Sequence, residues 1–167
     1  ILYVIPEGGL FMIRSLVMAA ALFMVSSSTP AIQRSYEQSY AYEAKSEFDE
    51  TWGIRLAAKN ITSEGLTLYI AQSGGTNINE LSYGSEYFLE VLDDGQWKTV
   101  PYINENIAWD SMAYIIRPDA YNECEINWKN IYGDLPAGTY RISKKIMNFR
   151  GPGDFDEKLY TLEFEIK

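Results

Sequence analysis

Few residues of this chain could take part in covalent chemistry, and their types exclude the commonest nucleophilic enzymes. The chain of 167 residues contains no histidine and one cysteine, Cys124. Serine and cysteine nucleophiles are commonly activated by a neighbouring histidine, so this route is excluded, together with histidine-ligated zinc and an intrachain disulfide. In the segment NECEINWK, Cys124 shares its strand face with Ile126 and Trp128. We therefore expect a buried, unreactive thiol.

The segment GPGDFDEK brings together three carboxylates, Asp154, Asp156 and Glu157, which are the oxygen ligands that calcium prefers. A calcium site needs six or more oxygen ligands, and this spacing does not match a known calcium-binding loop. We interpret the three side chains as solvated charges in a hairpin, with a calcium site as the alternative.

Paired carboxylates could also catalyse glycoside hydrolysis, which requires only an acid and a base or nucleophile. Most acidic residues of this chain, however, alternate outward on predicted strands, where charge keeps a sheet surface and its edges soluble. We therefore predict no catalytic residue, no metal ligand and no cofactor. A small β-sandwich glycan hydrolase is the least favoured of the functions considered.

Aromatic side chains are the stronger indication of binding, since they make up 14% of the chain. Trp109 lies in a predicted loop, ENIAWDSMAY, and further large side chains fall on strand faces opposite the main apolar sets: Tyr69, Phe88, Tyr114, Met147 and Phe149. Exposed rings could stack on sugars or anchor a protein contact. The alternative is that the N-terminal segment and the loops cover these rings.

The charge balance excludes some classes of partner. There are 14 lysine and arginine residues against 23 aspartate and glutamate residues, which gives a net charge of −9. Such a surface repels nucleic acid backbones and anionic lipid headgroups. We expect a protein or glycan ligand instead, and no nucleic acid or membrane partner after export.

The N-terminal part of the sequence predicts export. Residues 12–31, MIRSLVMAAALFMVSSSTPA, contain a basic start, an apolar run over residues 16–25 and a tail of small residues. These are the three regions of a secretory signal peptide. A membrane anchor is the alternative, but crossing a bilayer needs about 20 apolar residues, and this run is half that length.

Two further segments flank the predicted signal peptide. Residues 1–11 begin with isoleucine and end just before Met12, so we interpret them as a translated leader, the alternative being an extended basic region of the signal peptide. Residues 32–47 are polar, with scattered tyrosines and no regular hydrophobic period, and we expect a linker there.

From residue 48 to residue 167 the pattern is that of one all-β domain. Segments such as GLTLYIAQ and LYTLEFEIK alternate apolar and polar residues, as antiparallel strands covered on one face do. Asp94 and Gly95 supply the pair of positive φ angles that a tight hairpin requires. We predict about seven or eight strands in an antiparallel β-sandwich, with these residues in its core: Leu68, Leu89, Ile126, Trp128, Ile142, Leu162 and Phe164.

The segment GDLPAGTYRISKK predicts a specific corner of such a sandwich. Pro136 and Gly138 favour a turn, Tyr140 begins an alternating strand, and Ile142 stands two residues later. In immunoglobulin-like sandwiches a tyrosine at this place bonds back to upstream backbone, and antibody domains carry a cysteine where this chain has Ile142. We expect Tyr140 to be a structural residue and Ile142 to replace the disulfide by apolar packing.

Two phrases taken together resemble a known family. YGSEYFLEVLDDGQWKTVP, followed at a distance by LPAGTYRISK, is similar to the bacterial immunoglobulin-like domains of Gram-positive exported proteins, particularly their fourteenth "Big" type. The resemblance covers residues 54–166. It implies a non-catalytic accessory module, and it supplies neither catalytic residues nor a ligand.

The expected function is therefore that of an exported immunoglobulin-like module for binding, adhesion or spacing, secreted or held at the outer cell surface. A carbohydrate-binding module that uses Trp109 and neighbouring tyrosines is the alternative.

Overall fold

Ten strands and one short helix follow one another in the computed structural model, which describes residues 41–76, 78–104 and 106–167. In chain order they are β1 (Ala44–Lys45), β2 (Ile54–Lys59), β3 (Gly65–Gln72), β4 (Glu80–Tyr83), β5 (Phe88–Asp93), β6 (Gln96–Thr99), β7 (Tyr114–Ile116), β8 (Tyr121–Asn127), α1 (Lys129–Tyr132), β9 (Gly138–Gly151) and β10 (Asp154–Ile166). The predicted leader (residues 1–11), the predicted signal peptide (residues 12–31) and most of the predicted linker lie outside the described residues.

The strands form two antiparallel sheets. The smaller sheet has the order β1-β2-β3-β8, and the larger sheet is built around β9, which pairs with β10 on one edge and with β4 and β5 on the other. In the larger sheet, β7 pairs with β4 and β6 pairs with β5. The predicted all-β sandwich is confirmed. It has more strands than expected because several of them are short.

The predicted hairpin joins β5 to β6. Its turn residues, Asp94 and Gly95, have φ angles of 48° and 73°, as the mirror-image turn of a two-residue hairpin requires. Glycine adopts such an angle without steric cost, and aspartate tolerates it.

Strands β4 and β5 are two halves of one strand, separated by a break. Tyr83 pairs with Ile146 of β9, and Phe88 pairs with Ser143. Residues 84–87 therefore stand opposite only residues 144 and 145. The two extra residues bulge away from β9, so the sheet is interrupted at its centre.

The core lies between the sheets and contains every residue that the sequence places there. Leu68, Leu89, Trp128, Ile142 and Leu162 are fully buried, and Ile126 and Phe164 are nearly so. These side chains come from five strands and the residue that precedes α1. Alternation along each strand directs them to the same side, which is why period-2 patterning predicted them correctly.

Tyr140 holds the corner between α1 and β9, as the sequence predicts. Its ring is buried and lies 5.9 Å from the ring of Phe164. Its hydroxyl donates a hydrogen bond of 2.9 Å to the carbonyl of Pro136. A side chain at Gly138 would begin 3.4 Å from the Tyr140 ring, so glycine leaves room for this arrangement.

The smaller sheet begins earlier than the sequence suggested. Ala44 and Lys45, within the segment assigned to the linker, pair with Ala58 and Ala57 of β2. Just before them, Tyr42 packs edge-on against Tyr69 at 5.2 Å. The N-terminal segment thus covers the outer face of this sheet, an irregular contact that leaves no period in the sequence.

A polar cluster joins the two sheets on the side of the sandwich where β10 faces β1 and β2. Asp49 accepts hydrogen bonds from the hydroxyl of Tyr160 at 2.5 Å and the ammonium of Lys158 at 2.9 Å. Burial alone would raise the pKa of Asp49, but these bonds and one from the Thr51 N–H outweigh it and lower the pKa to about 2.

The corner makes a testable prediction. Tyr140→Phe keeps the ring in the core and removes one hydrogen bond, so the free energy of unfolding should fall by about 0.5–1.5 kcal/mol. Urea denaturation of the purified protein measures this change. A variant as stable as the wild type would show that the bond to Pro136 contributes nothing.

Candidate functional site

A cleft of about 350 Å³ lies between the sheets on the side where β8 forms the edge of the smaller sheet. Its walls include four aromatic rings, one lysine and one cysteine, which come from both sheets and the loop before β7: Tyr83, Tyr87, Trp109, Tyr114, Cys124 and Lys144. Apolar walls with a few polar groups are the usual composition of a binding pocket.

The cleft exists because of the break between β4 and β5. Residues 84–87 leave the edge of β9, and Ser85 and Tyr87 of this segment line the cleft. The loop that leads to β7 passes over the break, where the hydroxyl of Ser85 donates to the carbonyl of Asp110 at 3.4 Å. The bulge in one sheet thus opens space that the other sheet does not fill.

Lys144 is the most unusual side chain of the cleft. It lies on the inner face of β9 between Ile142 and Ile146, and only 1% of its surface is exposed. Its ammonium donates to the carbonyl of Glu86 at 2.9 Å and stands 5.3 Å from the centre of the Tyr83 ring. Burial lowers the pKa of Lys144 to about 8, because the charged form loses hydration.

This lysine has a structural role, since it bonds a carbonyl that the break between β4 and β5 leaves without a partner on β9. An ammonium has three donors, and the bond to Glu86 uses one of them. Lys144 is therefore also a buried positive charge in the wall of the cleft.

Cys124 belongs to a short polar chain along the same wall. Its sulfur lies 3.0 Å from the hydroxyl of Tyr83, and the Tyr83 ring stacks on Tyr114 at 5.3 Å. The hydroxyl of Tyr114 donates to a carboxylate oxygen of Asp110 at 3.1 Å. Burial raises the pKa of the Cys124 thiol, so the thiolate is disfavoured. Cys124 is half-buried rather than fully buried as predicted, and its raised pKa fits the expected unreactive thiol.

Trp109 is half-buried and lies in the wall of the cleft. Its ring meets that of Tyr87 edge-on, with 5.0 Å between centroids. Tyr87 is itself buried, and its hydroxyl reaches the carbonyl of Asn127 at 3.4 Å. Together the two rings form one wall of the cleft, so a ligand would contact Trp109 from within the cleft.

The other side chains considered as binding residues do not meet at one place. Tyr69 is buried under Tyr42 on the outer face of the smaller sheet, whereas Tyr114 lines the cleft. On the outer face of the larger sheet lie Phe88, Met147 and Phe149, of which only Phe149 is exposed. Phe149 faces Phe155 across the β9–β10 ladder.

The acidic segment does not assemble its three carboxylates. Arg150 donates to Asp154 at 2.6 Å and to Asp156 at 2.6 Å, while Glu157 points to the other face and lies 3.6 Å from Lys145. Within residues 41–76, 78–104 and 106–167, no group of three histidine, cysteine, aspartate or glutamate side chains could hold a metal ion. The geometry favours charges paired within the hairpin.

The buried position of Lys144 was not predicted, although the sequence contains a signal for it. The alternation that puts Tyr140 and Ile142 inside continues to Lys144, so strict period 2 already directs a lysine into the core. The break opposite it left no comparable signal, because the residues before Phe88 read as an ordinary loop.

The burial of Lys144 predicts how stability depends on pH. The unfolded chain retains the lysine proton up to about pH 10.4, whereas the folded protein loses it near pH 8. The unfolded state therefore binds more protons between these values, and folding stability rises with pH there, by at most about 1.4 kcal/mol per pH unit.

Urea denaturation between pH 7.5 and pH 9.5 measures this effect as the difference between the wild type and Lys144→Met. The free energy of unfolding of the wild type minus that of Lys144→Met should increase with pH. Lys145→Met, which changes the neighbouring lysine on the outer face, is the matched control and should follow the wild type. A constant difference would contradict the buried state of Lys144.

One of three comparisons with known proteins found a match, which is to the model of a protein family. A search among curated proteins and a search among solved structures each found no match. No helix of the described residues is long and apolar enough to cross a membrane.

The model of one family, the bacterial Ig-like domain, matches residues 49–166, which include both sheets from β2 to β10. Domains of this family typically occur in exported proteins and are generally not enzymes. The chain belongs to the bacterial immunoglobulin-like domain family, in the fourteenth "Big" type that its two sequence phrases resemble.

Proposed function

We propose that this protein is an exported, non-catalytic module that binds a partner protein at the bacterial cell surface. The observation that carries the proposal is the extent of the family match. Residues 49–166 span both sheets, so the described sandwich is the family's module itself.

Export is supported by the sequence. Residues 12–31 have the three regions of a signal peptide in their usual order. The acidic surface disfavours nucleic acid as a partner, which agrees with a place outside the cell.

A binding role is supported by the cleft. At β10, Asp49, Lys158 and Tyr160 join the two sheets, whereas the side at β8 contains a cavity with aromatic walls. Aromatic side chains are enriched at the centres of protein interfaces because they bury large areas at low entropic cost.

A carbohydrate-binding module is the second candidate, since Trp109 and Tyr114 line the same cleft. We favour a protein ligand because Trp109 is half-buried in the wall of the cleft rather than exposed as a platform for a sugar.

Expression of the full chain in a Gram-positive host tests export. Mature protein should appear in the medium or on the cell surface, with its N-terminus between about residues 26 and 33, as measured by intact mass. Ala20→Arg places a charge in the apolar run and should retain the chain in the cytoplasm, while Ser35→Arg, beyond that run, should be exported normally.

Labelled mature protein added to Gram-positive cells then tests binding. Protease treatment of the cells beforehand should abolish it if the partner is a protein. Binding that survives protease and is lost in Trp109→Ala would establish the carbohydrate-binding alternative. Retention of the full chain in the cytoplasm, or no binding to cells, would contradict the proposed function.

A further inference from the structure

Strand β8 has one edge in the sheet and one edge free. In sandwiches of the immunoglobulin constant type, one sheet has the strand order A-B-E-D. Here β2, β3 and β8 take the places of A, B and E, and β8 ends the sheet. Among the described residues no strand takes the place of D, because the chain after β6 pairs with β4 of the other sheet as β7.

The register shows which backbone groups are free. The Trp128 N–H donates to the backbone carbonyl of Glu64, and the Gln72 N–H donates to the backbone carbonyl of Ala120. In this register the even-numbered residues of β8 exchange hydrogen bonds with β3. The odd-numbered residues direct their N–H and C=O groups to the other edge. The carbonyl of Asn127 does so, since it accepts from Tyr87.

Glu123 and Glu125 thus present two N–H and two C=O groups side by side. Within the part of the chain that the structure describes, none of these four groups has a hydrogen-bond partner. Both residues are exposed, and both are among the residues that line the aromatic cleft. An unpaired edge beside a pocket is the arrangement that binds a peptide by strand addition.

We propose, resting on the proposed function, that the free edge of β8 binds an extended segment of the partner protein as an added strand. Residues of this segment opposite Cys124 would direct their side chains into the cleft. Residues opposite Glu123 and Glu125 would direct theirs to the outer face.

The charges define the chemistry of the segment. The outer side chains meet Glu123 and Glu125, so lysine or arginine is favoured at alternate positions. The inward side chain enters a cleft whose wall includes Lys144, and this positive charge favours an acidic residue such as aspartate. The segment therefore alternates basic residues with apolar or acidic ones.

A second copy of this chain is a poor occupant of the edge. Two β8 strands side by side would bring the glutamates of one copy against those of the other, and like charges directly opposite are destabilising. The partner is therefore a different protein.

Fluorescence anisotropy with two synthetic peptides tests the proposal. The first has the sequence Lys-Val-Lys-Asp-Lys-Val-Lys, and the second replaces every lysine by glutamate. The mature protein should bind the first peptide at least 10-fold more tightly than the second. The doubly substituted protein Glu123→Lys, Glu125→Lys should reverse this preference.

A proline at the free edge separates strand addition from simple charge attraction. Glu125→Pro removes an N–H that β3 does not use, and edge strands tolerate proline at such positions. Glu125→Ala removes the same charge and keeps the N–H. We expect the affinity for the lysine peptide to fall about 3-fold in Glu125→Ala and at least 10-fold in Glu125→Pro. Circular dichroism should confirm that both variants fold.

Several outcomes would overturn the inference. These are equal binding by Glu125→Pro and Glu125→Ala, binding of neither peptide, and a dimer of the free protein that Glu125→Pro dissociates. If Glu125→Pro still binds cells through a protein as well as the wild type does, the proposed function stands and this site is wrong. If the wild type does not bind cells, the proposed function itself fails.

Discussion

The inward face of β9 is the constraint on which both the core and the cleft depend. Because successive side chains alternate, the register that buries Tyr140, Ile142 and Ile146 also buries Lys144. A buried ammonium must find an acceptor, and the carbonyl of Glu86 is available because β4 and β5 separate opposite it. The bulge that supplies this acceptor also opens the cleft, so one strand register accounts for the stable part of the sandwich and for its opening.

The two sides of the sandwich differ in how they end. At β10, Asp49 joins the loop before β2 to Lys158 and Tyr160, which ties the sheets together. At β8, Glu123 and Glu125 border the cleft. Glutamates on this strand keep the edge soluble, and they also restrict which segments can pair with it. Protection against aggregation and selection of a basic partner segment are thus two consequences of the same charges.

Local patterns predicted the parts of the fold that local physics determines. Alternation identified the core from Leu68 to Phe164, and the turn residues Asp94 and Gly95 identified the β5–β6 hairpin. The corner at Tyr140 and its bond to upstream backbone were predicted as well, and the structure identifies the acceptor as the carbonyl of Pro136. The cleft was not predicted, because it depends on a register difference between β4 and β5 that only pairing with β9 reveals. Trp109 was identified as a candidate, but its edge-on contact with Tyr87 is a tertiary feature.

Amide hydrogen exchange of the free mature protein tests most directly whether β8 has an open edge. The N–H groups of Cys124 and Ile126 bond to β3 and should exchange slowly, whereas those of Glu123 and Glu125 should exchange quickly. This alternation of slow and fast amides along β8 is the expected result. Equal protection of all four amides would show that another segment already covers the edge, and would contradict strand addition at β8.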